Sequence, residues 1–509
     1  MSVKNSIFSY LKLDIWKMIA LVVLAVTGLF FFFYNAFRFE MPLGFSGMYT
    51  LMAEQISDNH YKLPEIIPFY GPGGVPFAYP PLGFYVMALV KDMFDISSMV
   101  YLRFMPPLFS LFALLPLFLL VQRKTSSFWS AYFSVFFLLF SPTLYYNHIW
   151  AAGMVRGLAF MLMLCGIYFF YLALEKKEKI YIAFSGIFLG LTILSHLFYG
   201  LFFALWVAFG GFAEFTRKAW RTTLFTAFIG SLVSVPWIAL MINRYGFSTF
   251  SHAFSSHDNS AFIDVFVQGV PTILIWLVGK FFGVPIPLFA FVLAGFAVLY
   301  LLYKRQFGIP VILLAMVLIL SPEGDRFLVL IVSILLGISF SAILEVWDVR
   351  WAQIVVGSLI FISIFQMGNY GIRDVFGSAP VLYSSAYDVA DFVKENVPEN
   401  SRYLFIAGQA EAEWLPYILK REPFVSKWGS EWLGTYEEQR ILQGRVAFCK
   451  DSQSLQCLKE LGLNVRDGDI ILTKKSQKKL SLELEESGSC SEIDSFGIYV
   501  LWRANCLIP

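Results

Sequence analysis

Apolar runs of about 20 residues recur from Ile15 to Gly371, each long enough to cross the hydrocarbon of a bilayer as a helix. Inside lipid a segment must satisfy its own backbone polar groups, so these runs read as membrane-spanning helices. Composition agrees: 58% of the residues are hydrophobic and only 15% are charged, where soluble domains carry roughly 25%. The net charge of +2 is too small to argue for a nucleic-acid partner. The first apolar run is long and lacks a small-residue cleavage site, so it reads as a signal anchor rather than a removed signal peptide.

Near Gly371 the composition changes, and beyond it charged residues are frequent and no run can span. The chain is therefore expected to be an α-helical polytopic membrane protein of about 11 transmembrane helices, comprising a transmembrane domain over 1–371 and a mixed α/β soluble domain over 372–509. Lys4, Lys12 and Lys17 precede the first span and place the N-terminus in the cytoplasm; basic clusters at alternate ends of later spans then put the C-terminal domain outside. Asp264 to Phe282 is broken by Gly269, Pro271 and Gly279 and is expected to be a surface or re-entrant helix. Four of the five cysteines (Cys449, Cys457, Cys490, Cys506) fall in the soluble part, an even set that suggests up to two disulfides and an oxidising compartment.

Residues 38–99 form an outer loop after the first span. Phe45, Met48, Tyr49, Met52 and Ile56 repeat at i, i+3, i+4, i+7 and i+11, and Leu82, Tyr85, Val86, Leu89 and Met93 repeat the pattern after Pro80-Pro81. Both helices are too short to span and are expected to lie in the membrane interface, with a Pro/Gly-rich loop between them.

Several polar residues fall at predicted outer ends. Glu40 suits a general base or a metal-assisting carboxylate; on residue type and position alone it reads more readily as a boundary residue paired with Arg38. Arg156, inside an apolar span, should face a cavity, meet a phosphate or snorkel to the interface. His148, His196, His252 and His257 share one side and could shuttle a proton or bind a metal, or be ordinary interfacial histidines. Arg326, after Glu323 and Asp325, is suited to a phosphate, and also to a simple topology anchor.

The first span with its large outer loop, GFSGMYTLMAEQI, YPPLGFYVMALVKDMF, the following YLRFMPPLFSLFALLPLFLLVQRK and the late SPEGDRFLVL together resemble the GT-C superfamily of membrane glycosyltransferases, closest to protein mannosyltransferase and aminoarabinose transferase relatives of bacteria and archaea. The resemblance implies transfer of a sugar from a polyprenyl-phosphate donor to a glycan, lipid or protein acceptor at the outer face of the cell membrane, among membrane lipids and with a divalent metal as an open cofactor. It implies Glu40 as catalytic acid-base residue, and Arg326, Arg156, His148, Glu54 and Tyr79 as substrate-binding residues. In such proteins the acid stands just before the tyrosine-containing helix; here that place reads GFSGMY, with no acid at Ser46 or Gly47.

Overall fold

The computed structural model describes residues 14–176, 178–213, 216–256, 286–319, 324–346, 350–406 and 408–508. The chain folds into two compact units, neither contiguous in sequence. The first comprises Met1–Glu40, Leu102–Ile238 and Asn259–Ser378 and the second Met41–Tyr101, Ala239–Asp258 and Ala379–Pro509.

The first unit is helical. Among the described residues five helices are long and apolar enough to cross a membrane: Ile15–Arg38, Ser98–Thr125, Gly153–Glu175, Arg217–Tyr245 and Arg326–Ile343. Shorter apolar helices cover Lys179–Ser195, Leu197–Phe212 and Leu288–Tyr303. The protein is a membrane protein. Asp14 caps the first helix by accepting from the Lys17 N–H (2.9 Å), and Arg38 closes its last turn, each sign where the helix dipole favours it. Trp16, Val22 and Val26 stand exposed along that helix, as a lipid-facing surface requires. Helices Lys179–Ser195 and Arg217–Tyr245 approach closely because Gly186, Gly190 and Gly230 lack a Cβ: one at Gly186 would meet Ile229 and one at Gly230 would meet Leu189.

Residues 128–149 do not form one straight span. Phe128–Leu139 and Pro142–Ile149 meet at 63°. Ser141 and Pro142 start the second piece, with Ser141 Oγ accepting from the Leu144 N–H (3.4 Å). Proline at the first position of a helix cannot donate to a preceding turn, so the helix ends and restarts there. Tyr145–Ile149 then winds as a π-helix. The segment expected at Asp264 to Phe282 lies outside the described residues.

In the second unit the two expected outer-loop helices form, over Gly47–Asp58 and Leu82–Phe94. The first does not lie free on its apolar face. Met48, Met52, Ala53 and Ile56 are all buried, packed against Leu82–Phe94 and the short helix Leu415–Leu419. The Pro/Gly-rich loop between them contains a two-stranded hairpin, β1 (Ile66–Ile67) and β2 (Val75–Pro76), with Ile67 opposite Val75. The C-terminal part is mixed α/β as expected. β3 (Tyr403–Phe405) pairs parallel to β4 (Ile470–Lys474), β4 antiparallel to β6 (Tyr499–Arg503), and β6 antiparallel to β5 (Glu492–Phe496). Leu404, Ile471, Leu480, Leu484 and Trp502 form its core. Disulfides join Cys449 to Cys457 and Cys490 to Cys506. Two short helices, Gln409–Ala412 and Leu415–Leu419, follow β3, the second because Pro416 begins a new first turn.

Candidate active site

The break between Phe128–Leu139 and Pro142–Ile149 positions a polar cluster of the first unit. His148, on the π-turn, is 1% exposed. Its Nδ1 donates to the Leu144 carbonyl (3.1 Å), which leaves Nε2 to accept from the Tyr199 hydroxyl (2.5 Å). The imidazole also lies against Phe160, with ring centroids 4.4 Å apart. The turn fits because Gly153 and Gly157 pass directly under it; a Cβ at Gly153 would collide with the His148 carbonyl.

Two arginines converge here. Arg326 is buried, its guanidinium 5.4 Å from the centre of the Tyr199 ring, and both Arg326 and Arg156 lie within electrostatic range of His148. His196 is also buried, its ring 5.1 Å from that of Tyr199. Two of the residues picked from sequence, His148 and Arg326, thus meet at Tyr199, a residue that sequence reasoning passed over, and a third, Arg156, lies within electrostatic range of His148. Tyr199 looks like one more interfacial aromatic along the chain; only the fold shows that it stands between an imidazole and a guanidinium. The buried Arg326 and His148 with the half-buried Arg156 can bind an anion in a setting where charge–charge interactions are strong.

The other face of the same turn is tied to the ends of the first and last helices. Asn35 Nδ2 donates to the Tyr145 hydroxyl and to the Val375 carbonyl (2.7 Å). Arg38 Nη1 donates to the Phe376 carbonyl (3.0 Å), so its guanidinium is engaged with the last helix (Arg350–Gly377). Arg103 Nε donates to the Ala36 carbonyl (3.0 Å). Glu40 follows directly, solvent-exposed and within electrostatic range of Arg103.

Glu54 and Tyr79 belong to the second unit. Glu54 Oε1 accepts from Ser98 Oγ (2.6 Å) and the Tyr417 hydroxyl (2.8 Å), with Lys91 Nζ at 3.4 Å. Tyr79 packs between Tyr49 and Trp432, ring centroids 5.1 and 6.3 Å away. His252 is exposed in this unit, and His257, Glu323 and the side chain of Asp325 lie outside the described residues.

A carboxylate does stand at the start of Gly47–Asp58, supplied from far along the chain. Glu413 Oε2 accepts from the Gly47 N–H and Oε1 from the Met48 N–H, both at 2.8 Å. Burial pushes its carboxyl up to about 7, and the backbone N–H groups of Met48, Gly47 and Ser46 pull the other way. Nothing in QAEAEWLP singles out Glu413 by local pattern. Among the described residues no group of three or more His, Cys, Asp or Glu is placed to hold a metal ion, so they do not assemble a donor set for a divalent metal.

No protein-family model matches the sequence, and no curated protein does. Solved structures do. The Archaeoglobus fulgidus oligosaccharyltransferase AglB, in complex with an inhibitory peptide and a dolichol-phosphate, superposes with a TM-score of 0.64 at 13% identity, over 95% of this chain and 74% of that one. ArnT from Cupriavidus metallidurans, bound to undecaprenyl phosphate, gives 0.58 at 13% identity over 96% of this chain and 99% of that one. The mycobacterial arabinofuranosyltransferase AftD gives 0.56 at 13% identity, over 96% of this chain and 40% of that one. The chain has the GT-C fold. At these identities the likeness speaks to architecture. The architecture expected from the outer loop and the late SPEGDRFLVL stretch is therefore present.

Proposed function

We propose that this protein is a membrane glycosyltransferase that moves a sugar from a polyprenyl-phosphate donor to an acceptor on the outer face of the cell membrane. The observation that carries the reading is the convergence of Arg156 and Arg326 on the buried His148–Tyr199 pair. Burying guanidinium charge in an apolar bundle is costly, and the anionic phosphate of a lipid-linked donor offsets that cost. The AglB and ArnT structures with a polyprenyl phosphate bound, on the same fold, support it.

In this scheme the two arginines hold the phosphate, and Tyr199 and His148 fix its surroundings. Glu40 takes the proton of an acceptor hydroxyl, whose oxygen attacks the anomeric carbon. The bond from that carbon to the phosphate oxygen breaks, and polyprenyl phosphate leaves with its added negative charge held by the guanidiniums. Glu40→Gln should reduce transfer of radiolabelled sugar from polyprenyl-phosphate donors by about 10²–10⁴-fold, the usual contribution of a positioned base. Arg326→Ala should raise the KM for donor and also lower kcat, because the charge it holds grows as the phosphate leaves. Undiminished transfer by Glu40→Gln removes Glu40 from the mechanism.

A second reading has its own observation. Where GT-C relatives are expected to carry an acid, this chain has Ser46 and Gly47, and the carboxylate found there, Glu413, is 1% exposed and spent on two backbone N–H groups. A protein that binds lipid-linked glycan without turning it over would show donor binding and no transfer across a broad donor panel.

A further inference from the structure

A cleft of ≈ 550 Å³ opens in the first unit on the face of the π-turn opposite His148, lined by Thr143, Tyr146, Asn147, Tyr370, Arg373 and Asp374 among others. Its two walls are the restarted helix piece Pro142–Ile149 and the last helix. They meet closely because a Cβ at Gly371 would collide with the Phe140 carbonyl. They are also braced, since Asn35 bonds both the Tyr145 hydroxyl on one wall and the Val375 carbonyl on the other. The cleft is thus held open by hydrogen bonds at its base.

Its chemistry is mixed. Tyr146 donates to Asp374 Oδ1 (2.8 Å), which leaves the second carboxylate oxygen to accept from a ligand. Arg373 is exposed and supplies donors, Asn147 supplies an amide, and Thr143 a hydroxyl. Tyr146 and Tyr370 are both about two-fifths exposed and offer ring faces. A carboxylate opposes an anionic headgroup, while neighbouring donors and acceptors with aromatic faces suit a ring that carries many hydroxyls and presents C–H faces between them. We propose that this cleft is a second ligand site, which takes the uncharged sugar headgroup of a lipid-linked acceptor. The five-residue turn would then separate two substrates, with His148 toward the donor phosphate and Tyr146 and Asn147 toward the acceptor. Its role as an acceptor site rests on the transferase reading, whereas sugar binding in the cleft does not.

The test uses the full chain in phosphatidylcholine nanodiscs and a diazirine-bearing alkyl β-glucoside, compared with the same alkyl chain capped by a methyl ether of triethylene glycol. The glucoside should crosslink within 142–147 and 370–374, and the glycol ether should not. Arg373→Ala and Tyr370→Leu alter exposed side chains and leave the packing intact; Asp374→Asn keeps the shape. Arg373→Ala and Asp374→Asn should each weaken labelling by about tenfold, the loss of one hydrogen bond to a charged group. Free glucose at matched concentration should compete poorly if the alkyl chain anchors the ligand; full competition would assign the site to a soluble sugar and overturn the lipid-linked acceptor. Equal labelling by both probes, or no labelling in these bilayers, overturns the proposal. Binding of a short-chain polyprenyl phosphate is measured on the same samples. It should fall in Arg326→Ala and hold in Arg373→Ala, so a failed donor site and a failed sugar cleft give different patterns.

Discussion

Glu413 shows how much one buried carboxyl can do. It accepts two backbone N–H groups at the head of Gly47–Asp58, its own carbonyl accepts from the Tyr70 hydroxyl (2.8 Å), and the neighbouring Trp414 Nε1 donates to the Gly44 carbonyl (2.8 Å). Residues 413–414 therefore latch the C-terminal part to the loop that follows the first span. Because burial raises the carboxyl from 4.5 to about 7, the folded protein binds a proton here more readily than the unfolded chain does. The linked stability is complete below about pH 4.5 and is lost as pH rises to 7 and beyond, on the order of 3 kcal/mol in all. Burial also raises Glu431, to about 7, and Glu411, so they share the sign and the informative quantity is a difference. The thermal unfolding midpoint of the wild type should fall between pH 5 and pH 8 by more than that of Glu413→Gln, which cannot ionise. Parallel pH profiles for the two proteins would show that Glu413 does not titrate in this range.

At the scale of elements, Gly47–Asp58 shows what the sequence could and could not reveal. Its start, length and apolar face are readable from the spacing of Met48, Tyr49, Met52 and Ile56. Its environment is not, because part of its cover, Leu415–Leu419, comes from the far end of the chain and periodicity reports that a face is buried, not by what. A flat interfacial helix and a helix packed on a protein surface leave the same pattern. The same limit explains the broken span. Ser141-Pro142 marks a possible break, yet an apolar count across it still sums to a full crossing. Among site residues, Arg156 announced itself by its cost inside an apolar run and Arg326 by the family likeness of SPEGDRFLVL, while Tyr199 and Glu413 sat in unremarkable surroundings. The packing at the helix head can be tested directly. A Cβ at Gly47 would lie 2.8 Å from both the Glu413 carbonyl oxygen and Trp414 Cα, backbone atoms that cannot swing away. Gly47→Ala should destabilise the second unit by about 1–3 kcal/mol through overpacking and speed hydrogen exchange across residues 41–60. Gly444→Ala, in the helix Tyr436–Ser452 with nothing within 4 Å of the added methyl, should instead stabilise by about 0.5–1 kcal/mol. Equal effects would mean that the contact at Gly47 is not tight.

At the scale of the whole molecule, orientation decides what the proposed site can meet. Two independent features bear on it. The basic residues before the first span and at alternate helix ends assign the N-terminus to the cytoplasm, and both disulfides lie in the C-terminal part, closing loops of 8 and 16 residues. Disulfides persist in oxidising compartments. A loop of about 15 residues is worth roughly 3 kcal/mol, so their presence matters to a small four-stranded domain. Both features favour an extracytoplasmic C-terminal domain, the arrangement that the proposed transferase requires. Cys165, within the helix Gly153–Glu175, is the one free cysteine among the described residues, and Cys165→Ser gives a background in which every remaining thiol is disulfide-bonded. Intact cells carrying that variant should show no labelling by a membrane-impermeant maleimide. After treatment with an impermeant phosphine they should show labelling at Cys449, Cys457, Cys490 and Cys506. Labelling that appears only after lysis would place the C-terminal domain in the cytoplasm. It would also move Glu40 to the cytoplasmic face, because Glu40 and the C-terminal domain are assigned to the same side by the same charge pattern.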